Sequence, residues 1–271
     1  MIADKKIAVI GAGNMGDVIV GALVSTCGVP PEQLTVTDVD VGRLEIFAAR
    51  YRVATATGNV EAARESDVVI LAVKPQIMEP VLAELAAIPL TGLVVSIAAG
   101  VSLETIESIL GPRSRVVRVM PNTPSLVGEG AAALAPGANA LGEDMDLVRA
   151  MFEALGMTVT VDESLMDAVT GLSGSGPAYC FIIIEALTDA GVKMGLARDT
   201  ALRLAAQTMR GAATLCLQDG RTPSQLKDMV TSPGGTTIEG IKALEKGALR
   251  ATIMDAVEAA VLRSRALGKK D

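Results

Sequence analysis

The stretch Lys6-Ile7-Ala8-Val9-Ile10-Gly11-Ala12-Gly13-Asn14-Met15-Gly16 decides the fold. Its first half is a short, nearly all-apolar, partly β-branched run, the pattern of a buried strand. Beyond it Val18, Ile19, Ala22 and Leu23 recur at helical spacing. Strand, glycine turn and helix in that order is the context a dinucleotide fingerprint requires. Gly11 permits the tight turn, Gly13 lets the backbone approach a pyrophosphate, and Gly16 lets the helix pack close to the strand. Asn14 and Met15 open the helix, whose free N–H groups then face the phosphates.

Working outward, strand-like and helical stretches alternate. Leu34–Thr37 reads as a second strand and Val53–Thr55 as a short third. Val68–Ala72, Val94–Ala98 and Val116–Met120 are continuous apolar runs, Gly130–Ala135 is a weaker strand, and Met157–Val161 a last one. Continuous apolar strands separated by helices predict an α/β domain whose parallel sheet is covered on both faces. This Rossmann-type domain spans residues 1–162. After Asp162 the strand signals stop. Helical spacing then runs through Ala178–Ala190, Thr200–Leu217, Ser224–Met229, Ile238–Leu244 and Ala251–Leu267. Residues 163–271 therefore form an all-helical domain, rich in Ala. Small side chains bury little area each, so this domain is expected to complete its core against a second subunit.

Composition narrows the function. A formal net charge of −7 argues against nucleic acid, which needs a basic face. No apolar run reaches membrane-spanning length, and the first strand starts too early to leave room for a signal peptide. Cys27, Cys180 and Cys216 lie far apart without metal-ligand spacing. They read as reduced packing residues of a cytoplasmic protein, and no metal site is expected. The chain has no histidine.

Four loops follow predicted strands and should meet at the carboxyl edge of the sheet, where such folds bind ligands. They are Gly11–Gly16, Ala72-Val73-Lys74-Pro75, Ala98-Ala99-Gly100 and Pro121-Asn122-Thr123. Lys74 is their one basic residue and a candidate for the chemistry as well as for the cofactor loop. As a proton donor it would have to be buried, since an ordinary lysine titrates near ~10.4. Asn122, held between two prolines, is a candidate donor to nicotinamide or substrate. The helical domain carries two glycine-rich breaks. Gly171–Gly176 ends on Pro177 and contains Ser175. Ser232-Pro233-Gly234-Gly235-Thr236-Thr237 runs into a helix, and its exposed amides and hydroxyls make a cradle for a carboxylate.

These segments, with Leu226–Met229, resemble the pyrroline-5-carboxylate reductase family over nearly the whole chain. The Ser-Pro-Gly-Gly-Thr-Thr segment is far more specific than the glycine fingerprint. The resemblance implies reduction of 1-pyrroline-5-carboxylate to L-proline, the last step of proline synthesis, by NADPH or NADH. It implies a homodimer interlocked through the helical domains, in many members stacked into a decamer. It also places the substrate carboxylate on Ser232, Gly234, Gly235, Thr236 and Thr237, with Thr237 near the substrate nitrogen.

The missing histidine agrees with an imine substrate. Ketone reduction needs a proton donor for the alkoxide, commonly histidine. A cyclic imine can enter already protonated and leave as an amine. Two other readings stay open. A β-hydroxyacid-type dehydrogenase would use a helix lysine, with Lys193 and Lys227 the central candidates. A non-catalytic dinucleotide-binding regulator would use the same fold without turnover. Cofactor choice departs from the family habit of a small polar residue after the second strand. Here Asp38 stands where an acidic residue bonds the ribose 2′-hydroxyl of NAD, and Asp40 adds a second charge against a 2′-phosphate. Arg43, which could reach a phosphate or stack on adenine, opposes this. The balance favours NADH.

Overall fold

A computed structural model describes residues 2–268. The chain divides into two compact units. Among the described residues, one comprises those up to Ser175 together with those from Ala260 on; the other is Gly176–Ala259.

The first unit is built on one sheet of eight strands among the described residues, in the order β3-β2-β1-β4-β5-β6-β7-β8. They are β1 (Ile7–Ile10), β2 (Leu34–Thr37), β3 (Ala54–Ala56), β4 (Val68–Leu71), β5 (Leu93–Ser96), β6 (Arg115–Met120), β7 (Gly130–Pro136) and β8 (Gly156–Thr160). The order reverses between β1 and β4, and such a switch point opens a crevice at the carboxyl ends of the strands.

Six helices flank the sheet: α1 (Asn14–Ser25), α2 (Val41–Tyr51), α3 (Asn59–Arg64), α4 (Met78–Ala86), α5 (Leu103–Leu110) and α6 (Gly142–Glu153). Side chains alternate along each strand, so one face gathers Ile7, Val9, Val36 and Ile70 with Leu23 of α1, Phe47 of α2 and Phe152 of α6. The opposite face gathers Ile10, Val69, Leu71 and Val94 with Leu82 of α4 and Ile106 of α5. Leu82 is fully buried, and truncating it to alanine would cost about 2–5 kcal/mol.

The expected strands are all present, and the Rossmann-type architecture is as the sequence predicts, with two differences. First, β7 runs antiparallel to β6, while β8 returns parallel to β7. The β6–β7 connection holds only a 3₁₀ turn, Thr123–Val127. A parallel return needs a dozen or more residues, so the chain must double back. Second, α4 has no counterpart in the sequence reading. It carries Pro80 in its first turn, where proline's missing N–H costs no helical bond.

The first unit also takes in a short helix α7 (Met166–Val169) and a π-turn over Thr170–Gly174. Met166 is fully buried in the same core as Leu82. Asp167 accepts a 2.6 Å hydrogen bond from Ser264 of the last helix. Through these contacts the residues between Asp162, the boundary read from the sequence, and Ser175 pack with the first unit.

The second unit is helical: α8 (Gly176–Lys193), α9 (Arg198–Gln218), α10 (Pro223–Met229), α11 (Thr236–Lys246) and most of α12 (Leu249–Gly268). α8 and α9 pack as a hairpin. A Cβ on Gly191 would lie 2.8 Å from the Ala201 Cβ, so the crossing is set by small residues. An Arg198–Asp189 ion pair of 2.8 Å closes the turn. Phe181, Ile182, Met194, Leu217 and Met254 are each more than 60% exposed on the single chain. Cys180 and Cys216 are exposed as well, and only Cys27 is partly buried, so two of the three cysteines are not packing residues within one subunit. Burial pushes the Cys27 thiol up from its ordinary range. No helix among the described residues is long and apolar enough to cross a membrane.

Candidate active site

The glycine turn leaves β1 at the switch point. The Gly11 N–H donates to the Thr37 carbonyl of β2 at 2.8 Å, and the Ala72 N–H after β4 donates to the Ile10 carbonyl at 2.8 Å. Gly11 has φ +111°, and a Cβ there would stand 2.7 Å from the Ala72 oxygen. Only glycine suits both the conformation and the approach. Ala72 and Val73 therefore border the turn directly, and the Ile97 N–H, one residue before Ala98, donates to the Leu71 carbonyl at 3.2 Å. The loops predicted to converge do so along one edge of the sheet.

The start of α1 fits a pyrophosphate. Its N-cap is Gly13, and no side chain caps the first turn. A Cβ on Gly13 would meet nothing within 4 Å, whereas one on Gly16 would stand 2.2 Å from the Gly11 oxygen. Gly16 is thus required by packing, and Gly13 leaves open room above free amides. Asn14 is exposed and Met15 half-buried at this edge. Asp17, in the first turn of α1, is tied to α2 by Arg50 at 2.8 Å and by the Tyr51 hydroxyl at 2.9 Å. Burial, then the bond to Asp17, push the Tyr51 hydroxyl above the usual phenol range.

Asp38 lies at the end of β2, half-buried. Its Oδ2 accepts from the Ala12 N–H at 2.7 Å and its Oδ1 from the Asp40 N–H at 2.9 Å. The carboxylate is thereby fixed beside the glycine turn. An ionised carboxylate has about four acceptor positions, so both oxygens can still take a ribose hydroxyl. Asn59, at the start of α3, is a neighbour of this site that the local sequence does not mark. It accepts from the Thr37 hydroxyl at 2.7 Å and donates to Glu84 at 2.8 Å. Gly58-Asn59 follows a short strand, but the partners of Asn59 are 22 and 25 residues away.

The remaining candidates in this unit fare unevenly. Lys74 is exposed, so the burial a proton-donating lysine requires is absent. Pro75 and Ala99 line a cleft of about 230 Å³ with Met78, Gly100 and Leu267. A cavity of about 570 Å³ lies at the other edge of the sheet, around Asp67 and Arg115. It opens at the amino ends of the strands, away from the switch point, and we assign it no role. Asn122 is tied into the fold at both ends of its amide. Its Oδ1 accepts from the Ala131 N–H at 2.9 Å and its Nδ2 donates to the Ser173 carbonyl at 3.1 Å. That carbonyl belongs to the π-turn, closed by a 2.8 Å bond from the Ser175 N–H to the Thr170 carbonyl. Asn122 thus clamps the segment that presents Ser175. Asn122→Ala is expected to destabilise the protein by about 1–3 kcal/mol, the cost of leaving two partly buried groups unpaired. A denaturation curve superimposable on the native one would contradict the clamp.

In the second unit, the Ser232–Thr237 segment turns at Gly234, φ +67°. The Gly235 N–H donates to the Ser232 carbonyl at 3.1 Å. Gly235 is the N-cap of α11, and no side chain caps that helix. Thr236 and Thr237 open its first turn, with amides aligned and positive. α10 offers a contrast: Thr222 and Gln225 cap it with a reciprocal pair of bonds. Lys193 is exposed at the end of α8, and the Lys227 ammonium lies 2.5 Å from Asp228. Neither has the setting of a buried catalytic lysine.

Fold, glycine turn and switch-point acid define a Rossmann-type dinucleotide-binding protein with a helical second unit. A family model described as pyrroline-5-carboxylate reductase dimerisation matches residues 163–267. A second, described as NADP oxidoreductase, coenzyme F420-dependent, matches residues 6–100. The pyrroline-5-carboxylate reductase of Methanosarcina acetivorans is 49% identical, over 98% of this chain and 99% of its own. That of Arabidopsis thaliana is 46% identical, over 97% and 96%. Among solved structures, the Coxiella burnetii pyrroline-5-carboxylate reductase superposes with a TM-score of 0.92 at 40% identity, covering 98% and 99% of the two chains. The Plasmodium falciparum pyrroline carboxylate reductase with NADP bound gives 0.89 at 34%, covering 98% and 99%. The chain belongs to the pyrroline-5-carboxylate reductase family.

Proposed function

We propose that this protein reduces 1-pyrroline-5-carboxylate to L-proline with a nicotinamide dinucleotide, as the final step of proline biosynthesis. The observation that carries this reading is the glycine-led, uncapped start of α11 within a chain alike over its full length to reductases of that name. The nicotinamide supplies the hydride when bound. The glycine turn and the first amides of α1 seat the pyrophosphate, and Ala72, Val73, Pro75, Ala98 and Ala99 wall the ring.

The chain's own part in the chemistry is small. The imine nitrogen enters protonated, C5 accepts the hydride, and the C5=N bond becomes a neutral secondary amine. No proton has to be delivered by a side chain, which suits a chain without histidine and an exposed Lys74. The carboxylate sits on the hydroxyls of Ser232 and Thr236 and the amides of Gly234 and Thr236, with Gly235 setting the turn through its own bond to Ser232, and the Thr237 hydroxyl bonds the ring nitrogen. Ser175, held by the π-turn, is a further substrate contact. The helical unit, with 163–271 as the domain that pairs, forms a homodimer by covering Phe181, Ile182 and Met254. Stacking of dimers into a decamer follows the family resemblance alone. The setting is cytoplasmic, on three cysteines spaced for neither metal nor disulfide.

Of the two cofactors we favour NADH, on Asp38 fixed beside Ala12. Oxidation of NADH or NADPH by 1-pyrroline-5-carboxylate, but not by 2-keto or 3-keto acids, tests the reaction and separates it from a β-hydroxyacid dehydrogenase or a non-catalytic regulator. Thr237→Ala is expected to lower kcat by roughly ten- to a hundredfold, at or below the low end of general acid–base effects of about 10²–10⁴. Complete loss of turnover with substrate still bound would make Thr237 an obligatory proton donor and overturn the mechanism.

A further inference from the structure

Asp38 accounts for binding a ribose hydroxyl, but it does not by itself exclude a 2′-phosphate. A phosphate in this position is usually met by free amides at the start of the following helix and by a nearby basic side chain. Both are present here, and both are taken. The N-cap of α2 is Asp40. Its Oδ1 accepts from the Gly42 N–H at 3.0 Å and from the Arg43 N–H at 3.3 Å. Its Oδ2 lies 3.4 Å from the Arg43 Nε. Asp40 is in turn joined through its own N–H to the Asp38 carboxylate, which holds Ala12 of the glycine turn. One run of bonds thus links the pyrophosphate turn to the start of α2.

We propose that Asp40 is a built-in anion that occupies the 2′-phosphate position, and that it is the residue that makes this chain reject NADPH. Asp38 and Asp40 then divide the work. Asp38 recognises the ribose diol. Asp40 neutralises Arg43 and fills the two amides, so an incoming phosphate of nearly two negative charges meets a carboxylate in place of donors. Arg43, which alone would draw a phosphate, is directed onto Asp40. This inference rests on reading the chain as an NAD(P)H-dependent reductase, but its test needs no turnover.

The experiment titrates NADH and NADPH, by nicotinamide fluorescence, into the full-length native protein and into Asp40→Gly, Asp40→Asn and Asp38→Ser. Glycine at an N-cap costs a helix only a few tenths of a kcal/mol, and asparagine caps about as well as aspartate, so both Asp40 variants should fold. Asp40→Gly is expected to tighten NADPH and to raise the NADPH-to-NADH affinity ratio at least tenfold. Asp40→Asn, uncharged but still seated on the amides, should give a clearly smaller shift. Asp38→Ser should move the ratio mainly by weakening NADH. An NADPH Kd within twofold of native in Asp40→Gly overturns the proposal. So does a native protein that binds NADPH more tightly than NADH. An Asp40→Asn shift equal to that of Asp40→Gly overturns the part assigned to the filled amides and leaves the exclusion to the Asp40 charge. If the affinities shift as expected but pyrroline-5-carboxylate is not turned over, Asp40 keeps its role and the proposed reaction fails.

Discussion

Gly16→Ala is expected to abolish useful dinucleotide binding, while Gly13→Ala should weaken binding and leave stability nearly untouched. The two glycines lie in the same turn but answer to different constraints. A Cβ on Gly16 would fall 2.2 Å from the carbonyl oxygen of Gly11 and 3.3 Å from its carbon. Both are backbone atoms of a turn already pressed against Ala72, so neither can yield as a flexible side chain would. The start of α1 must move away from β1. Overpacking of this kind costs about 1–3 kcal/mol, and a displacement of about 1 Å in a positioned site can cost 10²-fold in rate. We expect Gly16→Ala to lose at least a hundredfold in dinucleotide affinity and to melt earlier. At Gly13 the same methyl group meets nothing within 4 Å, so any loss of affinity there must come from the space itself. Cofactor titration and thermal melting of both variants make the comparison. A Gly13→Ala protein with native affinity would mean that no pyrophosphate rests on this turn.

The second large effect concerns a buried charge. Arg118 of β6 is only 6% exposed in its side chain, and its Nη1 lies 3.1 Å from Oε1 of Glu163. The same oxygen accepts from the Leu103 N–H at 2.5 Å, at the start of α5. Glu163 therefore neutralises a buried guanidinium and satisfies an orphan helix amide at once. Glu163→Ala strands both. Breaking a buried pair by removing one partner costs about 3–5 kcal/mol. Glu163 is itself 30% exposed, so water can reach the site, and we expect about 3 kcal/mol by urea denaturation. The double change Arg118→Met with Glu163→Leu removes both charges and should recover most of the loss, since apolar replacement of a whole buried pair is often near neutral. A Glu163→Ala protein within about 0.5 kcal/mol of native would show that the Arg118 charge is solvated.

Local features were legible in the sequence because their causes are contiguous. The β1–glycine–α1 unit declares itself within the 18 residues from Lys6 to Leu23, since the strand run, the turn glycines and the helical spacing are all neighbours. The same holds for the apolar strands, the helices after Asp162 and the glycine-led start of α11. Full-length likeness to named reductases then placed the chain in its family without any coordinates.

What tertiary structure alone decided involves partners far apart in the chain. Asn122 reads as a ligand donor because two prolines hold it, and only the fold shows its amide tied to Ala131 and to Ser173, which is 51 residues away. Lys74 stood out as the one basic residue in the loops, and only the folded chain shows it exposed. The reversal of β7 depends on the length of its connection and on where β6 lies, not on the residues of β7. Asp38 and Asp40 were visible as two negative charges near the end of β2. That one carboxylate is pinned to Ala12 and the other seated on the amides of α2 depends on bond directions, which side-chain identity does not specify. Composition and periodicity determine which segments become strands, turns and helices. Which polar group is satisfied by which other is settled only when the sheet brings distant loops to one edge.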